Sequence, residues 1–244
     1  MSTYVMSDIH GCYEEYRKML DKIRFSKEDI LYILGDILDR GPHPIKIMQD
    51  LMKRSNVVCL AGNHEAMALE CLPFLLSEAD CERIYRRNSP VIESLINWQM
   101  NGSLTTTDEF HRLDPAKRLE VVQFISEFEL FRELSVNGKK YVLVHAGLGG
   151  FRPEKELWEY PMDALVWERT DYDEPYYPDK YVITGHTPTK LIPSNPRPGY
   201  IYQGNRHIAV DCGAGFGGRL SCICLETMEE FYVECKKKKK WFFF

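Results

Sequence analysis

The sequence lacks several features that would assign it to a common class of protein. It has no apolar run near the length of about 18 residues that a membrane span requires. Its eight cysteines include no Cys-x-x-Cys pair, which excludes a zinc ribbon and a thioredoxin-like site. It also lacks a basic excess, because 31 lysines and arginines against 36 acidic residues give a net charge of -5. We therefore expect no nucleic-acid partner.

The two ends of the chain lead to separate expectations. Residues 1–8 carry no basic segment followed by an apolar stretch, which argues against a secretory leader, so we expect a cytoplasmic protein with reduced cysteines. Residues 236–244 are five lysines, Lys236–Lys240, followed by Trp241 and three phenylalanines. We expect this tail to be solvated, the alternative being contact with an anionic membrane surface. We also expect the protein to be a monomer.

The pattern along the chain predicts one α/β domain over residues 1–235. Short apolar runs alternate with amphipathic stretches, as in consecutive β-α-β units. The predicted strands are Thr3–Met6, Ile30–Leu34, Val57–Leu60, Tyr141–Val144, Tyr181–Thr184, Ile208–Val210, Cys222–Leu225 and Phe231–Val233. The predicted helices are Tyr13–Ile23, Ile45–Lys53 and Ala66–Leu76. Residues 80–134 are rich in charge and in helix-forming residues, which predicts a helical insertion, and Pro188–Pro198 is predicted to be a loop.

Five predicted strands end in side chains suited to binding metals or phosphate. These are Asp8 and His10 after the first, Asp36, Asp39 and Arg40 after the second, Asn63 and His64 after the third, and His145 and His186 after two later strands. Because the carboxyl ends of strands in an open α/β sheet meet at one crevice, we expect these side chains to lie together. Carboxylate, imidazole and amide ligands suit manganese, iron or zinc. Their number favours two metal ions over one.

Segments around these residues resemble the calcineurin-like metallophosphoesterases. They are Ser7–Gly11, Gly35–Gly41, Gly62–Glu65, Val144–Gly147 and Gly185–Pro188. Within that group the chain is similar to the phosphoprotein phosphatase family, and in particular to its bacterial and bacteriophage lambda-type serine/threonine protein phosphatases. Trp98–Gly102 and Leu165–Arg169 add to this likeness. The resemblance covers most of the chain, from about Thr3 to Leu225, and implies a β-sandwich flanked by helices with a helical cap insertion.

The resemblance also implies a role for each candidate residue. It assigns Asp8 and His10 to one metal ion, Asp36 to a bridge between two metal ions, and Asn63, His145 and His186 to the second ion. It assigns Arg40, Arg169 and Asn63 to the substrate phosphoryl group, and His64, oriented by Asp39, to the general acid. A hydroxide bridging the two ions would attack phosphorus directly. We expect the ions to be Mn²⁺, with iron or zinc as alternatives.

These roles predict a metal-dependent phosphatase that acts on phosphoserine or phosphothreonine in proteins and on small phosphate esters. Asp39 favours this activity, because nucleotide-cleaving relatives commonly depart from aspartate at its position. The alternative enzymatic activity is hydrolysis of diadenosine tetraphosphate. A non-catalytic module that binds phosphorylated ligands is disfavoured by the complete set of candidate residues.

Two further signals are expected to be structural. Gly213–Gly218 satisfies the Gly-x-Gly-x-x-Gly dinucleotide fingerprint, but a strand pattern follows it where the fingerprint requires a helix, so we predict a turn. Glu65 begins a predicted helix, where an acidic residue is favoured in any case, and we predict no chemical role for it.

Overall fold

The computed structural model describes residues 1–76 and 90–235 of the 244-residue chain, so the Lys236–Lys240 tail lies outside the described residues. The strands are β1 (Thr3–Met6), β2 (Ile30–Ile33), β3 (Val57–Cys59), β4 (Phe131–Val136), β5 (Lys139–Val144), β6 (Lys180–Thr184), β7 (Tyr202–Gly204), β8 (His207–Ala209), β9 (Arg219–Cys224) and β10 (Glu230–Glu234). The α-helices are α1 (Tyr13–Lys22), α2 (Pro44–Leu51), α3 (Asn63–Cys71), α4 (Pro90–Met100), α5 (Leu104–His111), α6 (Pro115–Ser126) and α7 (Met162–Val166).

Two mixed sheets of five strands form the framework, in the orders β10-β9-β1-β2-β3 and β4-β5-β6-β8-β7. In the first sheet β1, β2 and β3 are parallel, with Thr3 opposite Ile30 and Leu31 opposite Val57. In the second sheet β5, β6 and β8 are parallel. The parallel strands of each sheet end at one edge, so the loops that follow them emerge side by side.

The alternation of side chains along the strands separates the core into layers. On β1, Val5 points into the space between the sheets and belongs to the same apolar cluster as Leu143 and Ile183 of the second sheet. Its neighbour Met6 points the other way, into the cluster that includes side chains of α1, α2 and α3. Val142 likewise faces a third cluster with α7. The fold is therefore a sandwich of two sheets covered by helices, which confirms the predicted fold class.

The region predicted as a helical insertion, residues 80–134, contains α4, α5 and α6 but also the start of a strand. β4 begins at Phe131 and pairs antiparallel with β5, with Phe131 opposite Val144 and Val136 opposite Lys139. The prediction that helix extends to residue 134 is therefore wrong. The apolar pattern of β4 is interrupted by Arg132, Glu133 and Ser135. The strand is stabilised by its pairing with β5 and not by a continuous run of buried side chains.

The remaining predicted elements differ in smaller ways. β7 was not predicted, because only three residues of it pair with β8. The predicted loop Pro188–Pro198 contains a short 3₁₀ helix at Thr189–Leu191. Gly213–Gly218 forms a turn around a 3₁₀ helix and leads into β9, as predicted. Within residues 1–76 and 90–235, none of the helices combines the length and apolarity needed to cross a bilayer.

Candidate metal centre

The loops that follow the strands hold their polar residues in an unusual backbone conformation. Six non-glycine residues of the candidate site have φ between 45° and 69°. They are Asp8, His10, Asp36, Asp39, Arg40 and His186. L-residues rarely adopt this left-handed region, which costs about 1–3 kcal/mol per residue where the surrounding structure enforces it. The fold therefore stores backbone strain at the edge where the strands end, a pattern that is typical of functional sites.

Asp36 lies at the centre of two groups of possible metal ligands. His10, Asp36 and His64 form one group, and Asp36, His145 and His186 form the other, each with ligand atoms within 4.8 Å of one another. The Oδ2 atom of Asp36 lies 3.5 Å from His10 Nε2, and its Oδ1 atom lies 3.4 Å from His145 Nε2. The two carboxylate oxygens of Asp36 thus face different groups, as a bridging ligand requires.

Backbone carbonyls orient two of the imidazoles. The Nδ1 atom of His10 donates to the carbonyl of Leu38 at 2.9 Å, and the Nδ1 atom of His145 donates to the carbonyl of Leu34 at 2.6 Å. Because a carbonyl only accepts, Nδ1 carries the proton in each ring. The Nε2 lone pair of each ring then faces the centre of the site. Donation from the other ring nitrogen to a protein oxygen is usual for a metal-binding histidine.

The other candidate ligands complete the two groups. The Oδ1 atom of Asn63 lies 3.1 Å from His145 Nε2 and 3.0 Å from His186 Nδ1, at the start of α3. One oxygen of Asp8 lies 4.0 Å from His10 Nε2. The Asp8 carboxylate also accepts from the Ser7 hydroxyl at 2.5 Å and from the backbone N–H of His186 at 3.0 Å. These bonds fix Asp8 between the loops after β1 and β6.

Three acidic side chains of this site, Asp8, Asp36 and Asp211, are buried at 2–3% exposure, which concentrates acidic groups in a small volume. Burial raises the pKa of Asp8 well above its usual range, and the neighbouring Asp211 and Asp36 add to the effect. Burial also raises the pKa of Asp211 to about 6. For Asp36, burial opposes ionisation, but the surrounding imidazoles outweigh it and lower the pKa. Asp211 was not among the predicted site residues, because no motif marks it.

The histidines facing these carboxylates are held in the form that binds metals. Burial lowers the pKa of His10 well below its usual value, and burial is also the main cause that lowers the pKa of His186 to about 3. Neutral imidazoles beside buried carboxylates are a donor set suited to borderline divalent cations. The residues present therefore fit the two metal ions that the sequence predicts.

A second set of bonds surrounds His64 beside the metal-binding groups. Its Nδ1 atom lies 2.5 Å from Asp39 Oδ2, and its Nε2 atom accepts from the guanidinium of Arg40 at 2.9 Å. Burial opposes the charged form of His64, but Asp36 and Asp39 outweigh it and raise its pKa. The bond from Arg40 occupies the Nε2 lone pair of His64 in this conformation, so Nε2 can carry a proton only when Arg40 moves away.

The helical segment supplies the groups that hold Asp39. Trp98 on α4 donates from Nε1 to Asp39 Oδ2 at 2.7 Å, and Thr106 on α5 donates from its hydroxyl to Asp39 Oδ1 at 2.5 Å. Gly102, between the two helices, accepts from the backbone N–H of Arg40 at 3.0 Å. The sequence analysis marked Trp98 only as part of the family likeness, and Thr106 carried no signal. The structure shows both side chains buried against the Asp39–His64 pair.

Glu65 has a structural role that the sequence analysis missed. Its carboxylate is 0% exposed and accepts four backbone hydrogen bonds. The donors are the N–H groups of Asp36 at 2.7 Å, Ile37 at 2.9 Å, Leu38 at 3.1 Å and Gly62 at 3.0 Å. Glu65 thereby fixes the loop that carries Asp36 against the start of α3. Its position in Gly-Asn-His-Glu was the available signal.

A cleft of about 520 Å³ opens over the metal-binding groups. Asp36, Asn63 and His186 line its floor, and Arg40 and Arg169 line it from two loops. Arg169 and His186 line the same cleft. The structure therefore brings the predicted metal-binding, phosphate-binding and acid-base residues into one crevice, and their individual roles remain predictions.

Similar folds occur among solved structures. A crystal structure provisionally assigned as a diadenosine tetraphosphatase matches with a TM-score of 0.64 at 18% identity, covering 97% of this chain and 95% of that chain. A serine/threonine phosphatase from Saccharomyces cerevisiae matches with a TM-score of 0.57 at 12% identity, covering 98% of this chain and 81% of that chain. At these identities the matches show a shared fold and nothing more about activity.

Similar sequences carry more specific names. The asymmetrical bis(5′-nucleosyl)-tetraphosphatase PrpE of Bacillus velezensis is 30% identical over 96% of this chain and 93% of its own length. A symmetrical bis(5′-nucleosyl)-tetraphosphatase of Wigglesworthia glossinidia brevipalpis is 36% identical over 118 residues. That second alignment spans 45% of this chain and only 41% of the relative.

These relatives show that the expected phosphoserine and phosphothreonine phosphatase activity is wrong. The motif residues are candidates for binding metal ions and the transferred phosphoryl group, and that chemistry is common to phosphate esters and phosphoanhydrides. Asp39, on which the expectation relied, lies among these candidate residues and does not identify the leaving group. What the motifs do establish is the family: a model of the calcineurin-like phosphoesterases matches residues 1–190, and the chain belongs to that family.

Proposed function

We propose that the protein hydrolyses a phosphoanhydride bond of dinucleoside tetraphosphates such as diadenosine tetraphosphate. The similarity to PrpE, which extends over nearly all of both chains, supports this substrate class. The observation that carries the proposal is the cleft itself, which is lined by Arg40, Arg169 and Lys190 together with the buried Asp36. A polyphosphate chain carries several negative charges along its length, and these three cations offer it more than one point of attachment. That the protein belongs to the lambda-type branch of the family remains a prediction.

The two groups of donor atoms that share Asp36 support a proposal about the metal ions. We propose that Asp8, His10, Asp36, Asn63, His145 and His186 hold two divalent cations, and that these are Mn²⁺. When bound, such cations neutralise phosphoryl charge and lower the pKa of water so that it becomes a nucleophile near neutral pH. The buried acidic side chains provide the compensating negative charge within the protein.

The side chains around the metal centre divide the remaining tasks. Arg40 and Arg169 bind and orient the phosphoryl oxygens, for which the planar guanidinium group is suited. Movement of Arg40 onto the substrate frees Nε2 of His64, which Asp39 keeps aligned through Nδ1. His64 can then take up a proton from solvent at Nε2 and supply it to the departing phosphate oxygen as the bond to phosphorus breaks. The water oxygen becomes part of one product, and the leaving phosphate keeps the electron pair of the broken bond.

Product analysis tests this proposal. Metal-stripped protein is incubated with diadenosine tetraphosphate, a phosphopeptide or an aryl phosphate after Mn²⁺, Fe²⁺, Zn²⁺ or Mg²⁺ is added back, and products are separated by anion-exchange chromatography. We expect cleavage of the dinucleotide, to two ADP or to ATP and AMP, with the highest kcat/KM among these substrates in the presence of Mn²⁺.

The variant Asp36→Asn provides the negative control, because it removes the shared carboxylate. The matched variant Asp179→Asn changes an exposed aspartate outside the cleft and should retain activity. Turnover of the aryl phosphate by wild-type protein with no cleavage of the dinucleotide would contradict the proposed substrate while leaving the metal centre intact.

A further inference from the structure

Two aromatic side chains that the motifs do not explain border the cleft. Trp167 is 38% exposed and Phe216 is 60% exposed, and both line the space above the metal-binding groups. Large apolar side chains left open to water at a cleft commonly mark a surface that binds a ligand. An aromatic ring offers a flat apolar face on which another ring system can stack.

Phe216 stands on a turn that is fitted against the metal centre. It ends the 3₁₀ helix Ala214–Phe216, and Gly213 and Gly217 on either side have φ of 82° and 76°. A Cβ atom on Gly215 would lie 2.5 Å from Cδ2 of His10, so only glycine allows the turn to approach that ring so closely. The turn therefore places Phe216 beside the group formed by His10, Asp36 and His64.

Positively charged side chains lie over the Phe216 ring. The guanidinium carbon of Arg40 lies 4.5 Å from the ring centre, and Nζ of Lys190 lies 5.8 Å from it. Arg40 also donates to Nε2 of His10, which ties this aromatic side of the cleft to the first metal-binding group. An aromatic face with phosphate-binding cations next to it matches a nucleotide, in which a base and phosphates are linked.

Trp167 repeats this arrangement beside the other metal-binding group. It follows α7 directly, and its ring lies edge-on to His186 with centres 6.3 Å apart. Arg169, two residues further along, lines the same cleft. The two aromatic side chains therefore adjoin different metal-binding groups, which share Asp36 between them.

We propose that Phe216 and Trp167 are the stacking surfaces for the two bases of a dinucleoside polyphosphate, with the phosphates held between them by Arg40, Lys190 and Arg169. This inference rests on the proposed function and adds the means by which the nucleosides are recognised. Stacking on a ring face tolerates different bases, so the site would accept several nucleosides and would discriminate against polyphosphates that have none.

The kinetic test compares two substrates that differ in the bases. The variants Phe216→Leu and Trp167→Leu keep an apolar side chain but remove the ring, and each is assayed with diadenosine tetraphosphate and with inorganic tetrapolyphosphate. We expect the ratio of kcat/KM for the dinucleotide to that for tetrapolyphosphate to fall about tenfold in each variant. The controls Phe74→Leu and Trp158→Leu alter exposed rings outside the cleft, and they should leave this ratio unchanged.

A binding measurement separates this inference from the proposed activity. Metal-loaded protein is titrated with a dinucleoside tetraphosphate analogue whose bridging oxygens are methylene groups, and tryptophan fluorescence is recorded. We expect quenching in wild-type protein and in Trp158→Leu, and its loss in Trp167→Leu. The stacking role would be overturned if kcat/KM fell equally for the dinucleotide and for tetrapolyphosphate in the kinetic test. It would also be overturned if the quenching survived in Trp167→Leu. If wild-type protein is quenched but does not cleave the dinucleotide, the proposed function fails while nucleoside binding stands.

Discussion

Replacing Glu65 by glutamine tests whether one buried carboxylate organises the metal-binding loops. The Oε1 atom accepts from the N–H groups of Ile37 and Leu38, and Oε2 accepts from those of Asp36 and Gly62. Glutamine keeps the shape but turns one oxygen into an NH₂ group that faces two N–H donors. Two charge-assisted hydrogen bonds are lost, at about 1.5–3 kcal/mol each.

Part of this loss is offset, because the substitution also removes a buried charge. Burial and the neighbouring Asp36 raise the pKa of Glu65, which shows that its ionised form is held at a cost. We therefore expect a net loss near the lower end of the sum, about 3 kcal/mol in the free energy of unfolding. That is a large share of the roughly 5–15 kcal/mol by which folded proteins are stabilised.

Urea unfolding of metal-free protein measures this loss, with Glu120→Gln on the exposed surface of α6 as the matched control. Glu65→Gln should also bind Mn²⁺ about 10–100-fold more weakly than wild-type protein in calorimetric titrations, because the loop carrying Asp36 is no longer fixed. Equal midpoints for Glu65→Gln and Glu120→Gln would refute the claim that these four hydrogen bonds hold the loop.

Three further predictions concern other parts of the structure. Trp98→Phe removes the donor to Asp39 and should lower the free energy of unfolding by about 1.5–3 kcal/mol in urea titrations, whereas Trp158→Phe should change it by less than about 0.5 kcal/mol. Leu143→Ala leaves a cavity between the sheets and should cost about 2–5 kcal/mol in the same assay, against a much smaller loss for the exposed Leu119→Ala. Free Mn²⁺ at about 100 times its Kd should raise the melting temperature of chelator-treated protein by roughly 5–10 °C in calorimetry, and Asp36→Asn should abolish this shift.

The sequence was sufficient to predict which residues of the candidate metal centre lie together, because the fold repeats a simple unit. Each short apolar run is followed by polar residues, and parallel strands bring those residues to one edge whatever their separation along the chain. Asp8 and His186 are far apart in sequence, yet the backbone N–H of His186 donates to Asp8. Only the direction and the order of the strands had to be known to place them together.

The groups that support the site could not be read in this way. Asp39 contacts Trp98 and Thr106, which lie 59 and 67 residues further along the chain on separate helices. Neither helix has a periodic signal that points to Asp39, since the contacts depend on how the helical segment packs over the sheets. β4 was missed for a related reason: its charged residues hide a strand that pairing with β5 stabilises.

The wrong prediction of a phosphoprotein substrate has a physical explanation, because the motifs describe only part of the site. The residues that follow β1, β2, β3, β5 and β6 are the candidates for holding metal ions and the phosphoryl group under attack, and these needs are the same for an ester and an anhydride. Under the proposed function the leaving group would lie further out, against loops that no motif describes. One of them is Gly213–Gly218, which is not a dinucleotide fingerprint, since β9 follows it. Its glycines instead allow the turn to pack against His10 and to present Phe216 to the cleft, where the stacking proposal gives this segment a part in nucleotide binding.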